Sequence, residues 1–158
     1  MYCAESQNTA IYVDYENVYI TLDEQYTNVK DSKLIILDKI REQYRNCAIR
    51  TFKLFCDFST INDSIQDLDT RFVELKHVSS IDRSVRHKNA ADISMAIDII
   101  RSSILRPDIT KYVIVSSDSD MLPIINDLVQ NNKIVDVICF KSHSTSLLYN
   151  NQYLPTPV

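Results

Sequence analysis

The 158-residue sequence predicts an α/β fold: a central, mainly parallel sheet with helices on both faces. Three observations carry this. Short β-rich runs alternate with stretches of helical spacing, the pattern of strands joined by crossover helices. The run "KYVIVSS" (residues 111–117) is almost wholly apolar, as expected of a strand covered on both sides. "AADISMAIDIIRSSIL" (90–105) is long and periodic enough to be one of the crossovers.

Each element follows in order. "AIYVDYEN" (10–17) is an apolar run ending in polar residues, the first strand. "DSKLIILDKIREQYRN" (31–46) places Leu34, Leu37, Ile40 and Tyr44 at helical spacing, with Asp31 or Ser32 as cap. "CAIRTFKLFCDF" (47–58) is the second strand and "FVELKHVS" (72–79) a weaker third, with a short helix expected between them at 59–71. The polar, basic 79–89 is a loop. The helix at 90–105 carries Ile93, Ile97, Ile100 and Ile104 along one stripe. After the fourth strand, "MLPIINDLVQNN" (121–132) is a helix, with Pro123 in the first turn where a missing N–H costs little. "IVDVICF" (134–140) is the fifth strand, 144–154 a last short helix, and 151–158 a tail or linker beyond a single domain at 1–150.

Composition narrows the function classes. Hydrophobic residues make up 45% and charged ones 24%, which suits a folded globular domain with a real core. No apolar run approaches the ~18 residues of a membrane span, and "MYCAESQN" does not read as a signal peptide, so the expected setting is cytoplasmic with no membrane partner. The four cysteines lack metal-ligand spacing, and Cys56 and Cys139 lie in apolar runs, where a reduced thiol is a small core residue. The net charge of −4 argues against a module that holds nucleic acid by basic charge alone. Glycine is absent, against about 7% in an average protein, so backbone with positive φ falls to residues such as Asn89, Asn131 and Asn132.

Ligands of open parallel sheets bind outside the carboxyl ends of the strands. Asp14 closes the first strand, with Glu16 and Asn17 just beyond. Asp57 follows the second, Asp118 and Asp120 the fourth, and Asp92 opens the helix at 90–105. Any one of these acids is explained as a helix cap or a first-turn charge; Asp120 alone would cap the helix starting near Met121. As a set they are harder to explain without a cation, because crowded carboxylates raise one another's pKa. Ligands that are all oxygen suit Mg²⁺ or Mn²⁺ and not zinc.

Three blocks then carry a resemblance. "IYVDYENVY", "HKNAADISMAIDII" and "YVIVSSDSDMLPIINDLVQNNKIVDVICF" resemble the signature blocks of NYN domains, the PIN-like nucleases that include the LabA-like and DUF88 groups. The resemblance implies a three-layer α/β/α sandwich with the first strand central, and metal-dependent cleavage of RNA phosphodiesters. It implies that Asp14, Asp92, Asp118 and Asp120 form an acidic Mg²⁺ or Mn²⁺ site and that Asn17 orients Asp14 or touches substrate. It implies also that Lys88 reaches a phosphate. Asp98 matches a frequent family acid, yet six helical residues set it about 120° around from Asp92. Ser117 and Asn89 stand where the family has glycines, and Met121 where it has an aromatic.

Substrate contacts are expected from "DRSVRHK", through Arg86 and Lys88, and from Ser116. The basic loop would grip the phosphate backbone beside the cations. RNA, single-stranded or structured, is the expected partner, and a homodimer is compatible with the chain without a visible signature. The rival readings are a non-catalytic module that binds RNA or protein, and a nuclease acting on DNA.

Overall fold

The computed structural model describes residues 7–18, 32–58, 73–78 and 90–139, with backbone only for 32–35. Five strands form one all-parallel sheet: β1 (Asn8–Asp14), β2 (Ala48–Cys56), β3 (Glu74–His77), β4 (Lys111–Val115) and β5 (Ile134–Ile138). Their order across the sheet is β3-β2-β1-β4-β5, so β1 is central and Asp14 lies at its carboxyl end between two neighbours. Among the described residues three longer helices cover the sheet: α1 (Ser32–Gln43), α2 (Ala90–Leu105) and α3 (Leu122–Gln130). The expected helices at 59–71 and 144–154, the caps Asp31 and Ser32, the loop 79–89 and the tail fall outside the residues with described side chains.

Strand alternation divides the core into two layers. Ile11, Val13, Leu54, Val113 and Val115 point to the α1 side and meet Leu37, Ile40 and Tyr44. Ala10, Tyr12, Phe55, Tyr112 and Ile114 point the other way and meet Met95, Ile99, Ile125 and Leu128 of α2 and α3. The fold is therefore the α/β/α sandwich, with α1 on one face and α2 and α3 on the other. Cys56 and Cys139 are buried within it and are not joined in a disulfide. Among the described residues no helix is long and apolar enough to cross a membrane.

Three local expectations are corrected. The first strand stops at Asp14, and residues 15–18 are helical, so the chain turns at the acid instead of running on to Asn17. The isoleucine stripe of α2 is not its core face. Ala91, Met95 and Ile99 are buried, while Ile93 and Ile104 are 58% and 70% exposed. The helix is apolar nearly all round, so spacing alone offered two faces, and the one with the smaller Ala and flexible Met fits closest to the sheet. Lastly, a 3₁₀ turn at Ser119–Met121 precedes α3. It is Asp118 that caps this turn, accepting from the Asp120 N–H at 2.9 Å. The cap position of α3 is Met121, with no side-chain bond, so Asp120 is not spent on capping. The one positive φ among the described residues is at Asn132 (62°), where asparagine stands in for glycine at the end of α3.

Candidate active site

The site is built where β1 and β4 end side by side. Asp14 is 4% exposed and would be an isolated buried charge without its partners. The backbone N–H of Asn17 donates to Asp14 Oδ1 at 3.2 Å, possible because the chain turns helical directly after the strand. From β4, the Ser116 hydroxyl donates to Asp14 Oδ2 at 3.3 Å. That same oxygen, Ser116 Oγ, accepts the Asp118 N–H at 3.2 Å. The Asn17 side-chain oxygen accepts the Ser117 N–H at 3.2 Å, tying the two loops together. Ser116, expected among the substrate contacts, is thus 2% exposed with its hydroxyl engaged beneath the acids. Ser117 has no positive φ, so the expected glycine is not demanded by backbone conformation here.

α2 brings the third acid. Its first turn sets Asp92 in hydrogen-bonding reach of both Asp14 and Asp118. Burial, and then the neighbouring Asp14 and Asp118 carboxylates, push the Asp92 carboxyl up to about 9. Asp14 is raised as well, chiefly by burial, against the opposing pull of its hydrogen bonds from Asp92, Asn17 and Ser116. Like charges this close hold protons that a cation would otherwise replace. Asp120 is exposed and lines the same cavity as Asp92.

Among the described residues no three His, Cys, Asp or Glu side chains are arranged to hold an ion. The donor chemistry nevertheless fits a hard divalent cation: oxygen ligands only, carrying excess negative charge at one point, with Asp92 shared between its neighbours. Asp14, Asp92 and Asp118 are the residues that would hold it, with Asp120 at the rim.

The acidic edge extends past these four aspartates to Glu16 and Asp57, which the sequence also places after strand ends. Glu16 is pushed up by burial and by the charges of Asp14 and Asp57. Asp57 is buried beyond β2, and His77 Nε2 at the end of β3 lies 3.9 Å from it. The His77 Nδ1 accepts the Phe58 N–H at 3.3 Å. The signal for these was topological: in an all-parallel sheet every strand end shares one edge.

Asp98 is elsewhere. Its two oxygens accept from Lys53 Nζ at 3.1 Å each, and Oδ1 also accepts from the Tyr12 hydroxyl at 3.1 Å. It is an anchor between α2 and the strands, as the helical angle from Asp92 implied. Lys88 and Arg86 lie outside the described residues.

A structure from Vibrio parahaemolyticus, a protein of unknown function, is similar to this chain with a TM-score of 0.77 at 22% identity, covering 100% of this chain and 95% of that one. At that identity the likeness speaks for the fold. No curated protein matches. The family model described as the NYN domain matches residues 8–154. Nearly the whole sequence is thus accounted for by one family, and the chain belongs to the NYN domain family, whose fold is that of the PIN-like nucleases.

Proposed function

We propose that this chain is a ribonuclease that hydrolyses RNA phosphodiester bonds with the help of Mg²⁺ or Mn²⁺. The single observation that carries the reading is Asp92, a carboxyl from a helix set against two carboxyls from different strand ends, Asp14 and Asp118. A fold gains nothing in stability from such a cluster, which costs free energy unless protons or cations neutralise it.

When bound, a divalent cation would supply the charge that activates water and steadies the oxygens of the reacting phosphodiester. The chain's own residues do the rest. Ser116 and the Asn17 N–H fix both oxygens of Asp14, so its carboxylate meets a ligand in one orientation. The Asn17–Ser117 bond holds the β1 and β4 loops at a fixed separation. Lys88 and Arg86 are assigned to the phosphate backbone, and the cytoplasm is the expected setting.

The test incubates purified protein with labelled single-stranded RNA and DNA, in Mn²⁺ or in EDTA. RNA should be cut only with the cation. Asp118→Asn retains a capping oxygen and should keep the fold while abolishing cleavage. Undiminished cleavage by that variant sinks the assignment. Cleavage of DNA in preference to RNA moves it to the deoxyribonucleases.

A further inference from the structure

Between α2 and the start of α3, directly beside the acids, lies a cavity of about 130 Å³. Ile93, Ala96, Met121 and Ile124 form its walls, and Asp92 and Asp120 stand at its edge. The placement of Ile93 is unusual for a residue serving the core: it is 58% exposed, so its side chain lines the cavity while remaining open to solvent. Met121, 2% exposed, adds a flexible, polarisable side chain to the lining.

Size and lining restrict the occupant. A dry cavity of about 150 Å³ holds one benzene ring. This one is of similar size but open to solvent, so it seats a single six-membered ring, and the second ring of a purine would project out of it. Apolar walls with a small number of polar groups at one end are the ordinary make-up of a site for a flat heterocycle. Asp92 and Asp120 supply the polar groups here.

We propose that this cavity is a nucleobase subsite that takes one unstacked pyrimidine from single-stranded RNA next to the scissile phosphate. The proposal rests on the ribonuclease reading for its substrate, and it makes that reading more specific. Bases of single-stranded RNA can be splayed out and read individually, whereas a duplex buries them in the stack. Asp92 belongs to both the acid cluster and the cavity lining, so a base seated here holds its own phosphate at the acids. Ile93 and Ala96 are then specificity-determining residues: they touch the base and not the reacting phosphorus.

The test uses labelled oligoadenylates identical except for one central position, which is cytidine, uridine, guanosine or an abasic residue. Anisotropy in EDTA measures binding, and Mn²⁺ starts cleavage, with the cut position mapped. Wild-type protein should bind the cytidine oligomer roughly tenfold more tightly than the abasic one and cut beside the cytidine. Ala96→Leu fills the cavity, and Ile93→Ser removes its apolar mouth at an exposed position. Each should level the four affinities. Equal binding of cytidine and abasic oligomers by the wild type overturns the subsite, as does a preference that survives both substitutions. Absence of cleavage with discrimination intact in EDTA would overturn the nuclease reading and leave the subsite standing, so the two failures are distinguishable.

Discussion

Ser116 Oγ lies 3.3 Å from Asp14 Oδ2, a hydrogen bond between residues 102 positions apart that is buried beneath the candidate site. The hydroxyl serves two masters, because it also accepts the Asp118 N–H. Ser116→Ala should therefore cost about 1–3 kcal/mol, the penalty for leaving buried polar groups short of partners. Urea denaturation with and without Mn²⁺ measures it. A change under about 0.3 kcal/mol would mean that the Ser116 bond contributes little to holding Asp14.

The pH dependence of stability in EDTA follows from Asp92 and Asp14. Both carboxyls are raised by folding, Asp92 to about 9 from its ordinary 3.8. The folded state then holds protons that the unfolded chain has released. Stability is greatest below the unfolded value and falls as pH rises between about 4 and 9. The melting temperature in EDTA should decline from pH 5 to pH 9, and Asp92→Asn should flatten the decline. Added Mn²⁺ should raise the melting temperature more at pH 8 than at pH 5, where protons compete for the same oxygens. A cation effect independent of pH would place the ion away from these acids.

Asp98 provides a contrast within the same helix. It is engaged by Lys53 and Tyr12, so Asp98→Asn should lower stability by about 1–3 kcal/mol while kcat for RNA cleavage stays within twofold or so. Loss of activity in a fully folded variant would bring Asp98 into the catalytic machinery.

Backbone conformation separates two positions that sequence pattern treats alike. Ser117 stands where the family has glycine but does not use positive φ, so Ser117→Gly should lose roughly 0.4–1 kcal/mol through greater freedom of the unfolded chain. Asn132 has φ 62°, so Asn132→Gly should be neutral or stabilising and Asn132→Ala should cost about 1 kcal/mol. Paired thermal melts decide both.

The two faces of α2 should respond oppositely to substitution. Ile99 is fully buried, so Ile99→Ala should cost about 2–5 kcal/mol. Ile104, 70% exposed, should tolerate serine within about 0.5 kcal/mol. A large loss at Ile104 would show that this face is covered in solution.

Much of this was legible in advance for physical reasons. The bounds of α2 follow from its uninterrupted run, and the all-parallel sheet follows from strands with apolar residues on both faces. Once the sheet is parallel, Asp14 and Asp118 must share an edge. What spacing left open was orientation. α2 offers isoleucines opposite the buried Met95 and Ile99, and only packing against Tyr12 and Tyr112 selects between the faces. Likewise, Asp118 and Asp120 are equal candidates for a cap until the 3₁₀ turn assigns the bond to Asp118. The roles of Glu16 and Asp57 depend on electrostatic reach across strand ends, which a linear pattern does not express.

The central place of β1 also governs when this molecule becomes complete. Its neighbours are β2, which follows soon after it, and β4, which lies about a hundred residues downstream. During synthesis from the N-terminus, β1 to β3 emerge with the β4 side of β1 still unpaired, an open edge prone to wrong partners. Asp14 is made 102 residues before Ser116, so Ser116 and Asp118 reach it only later in synthesis. A growing chain is thus without its acid cluster while it is still attached to the messenger and the ribosome, both made of the class of polymer it is proposed to cut.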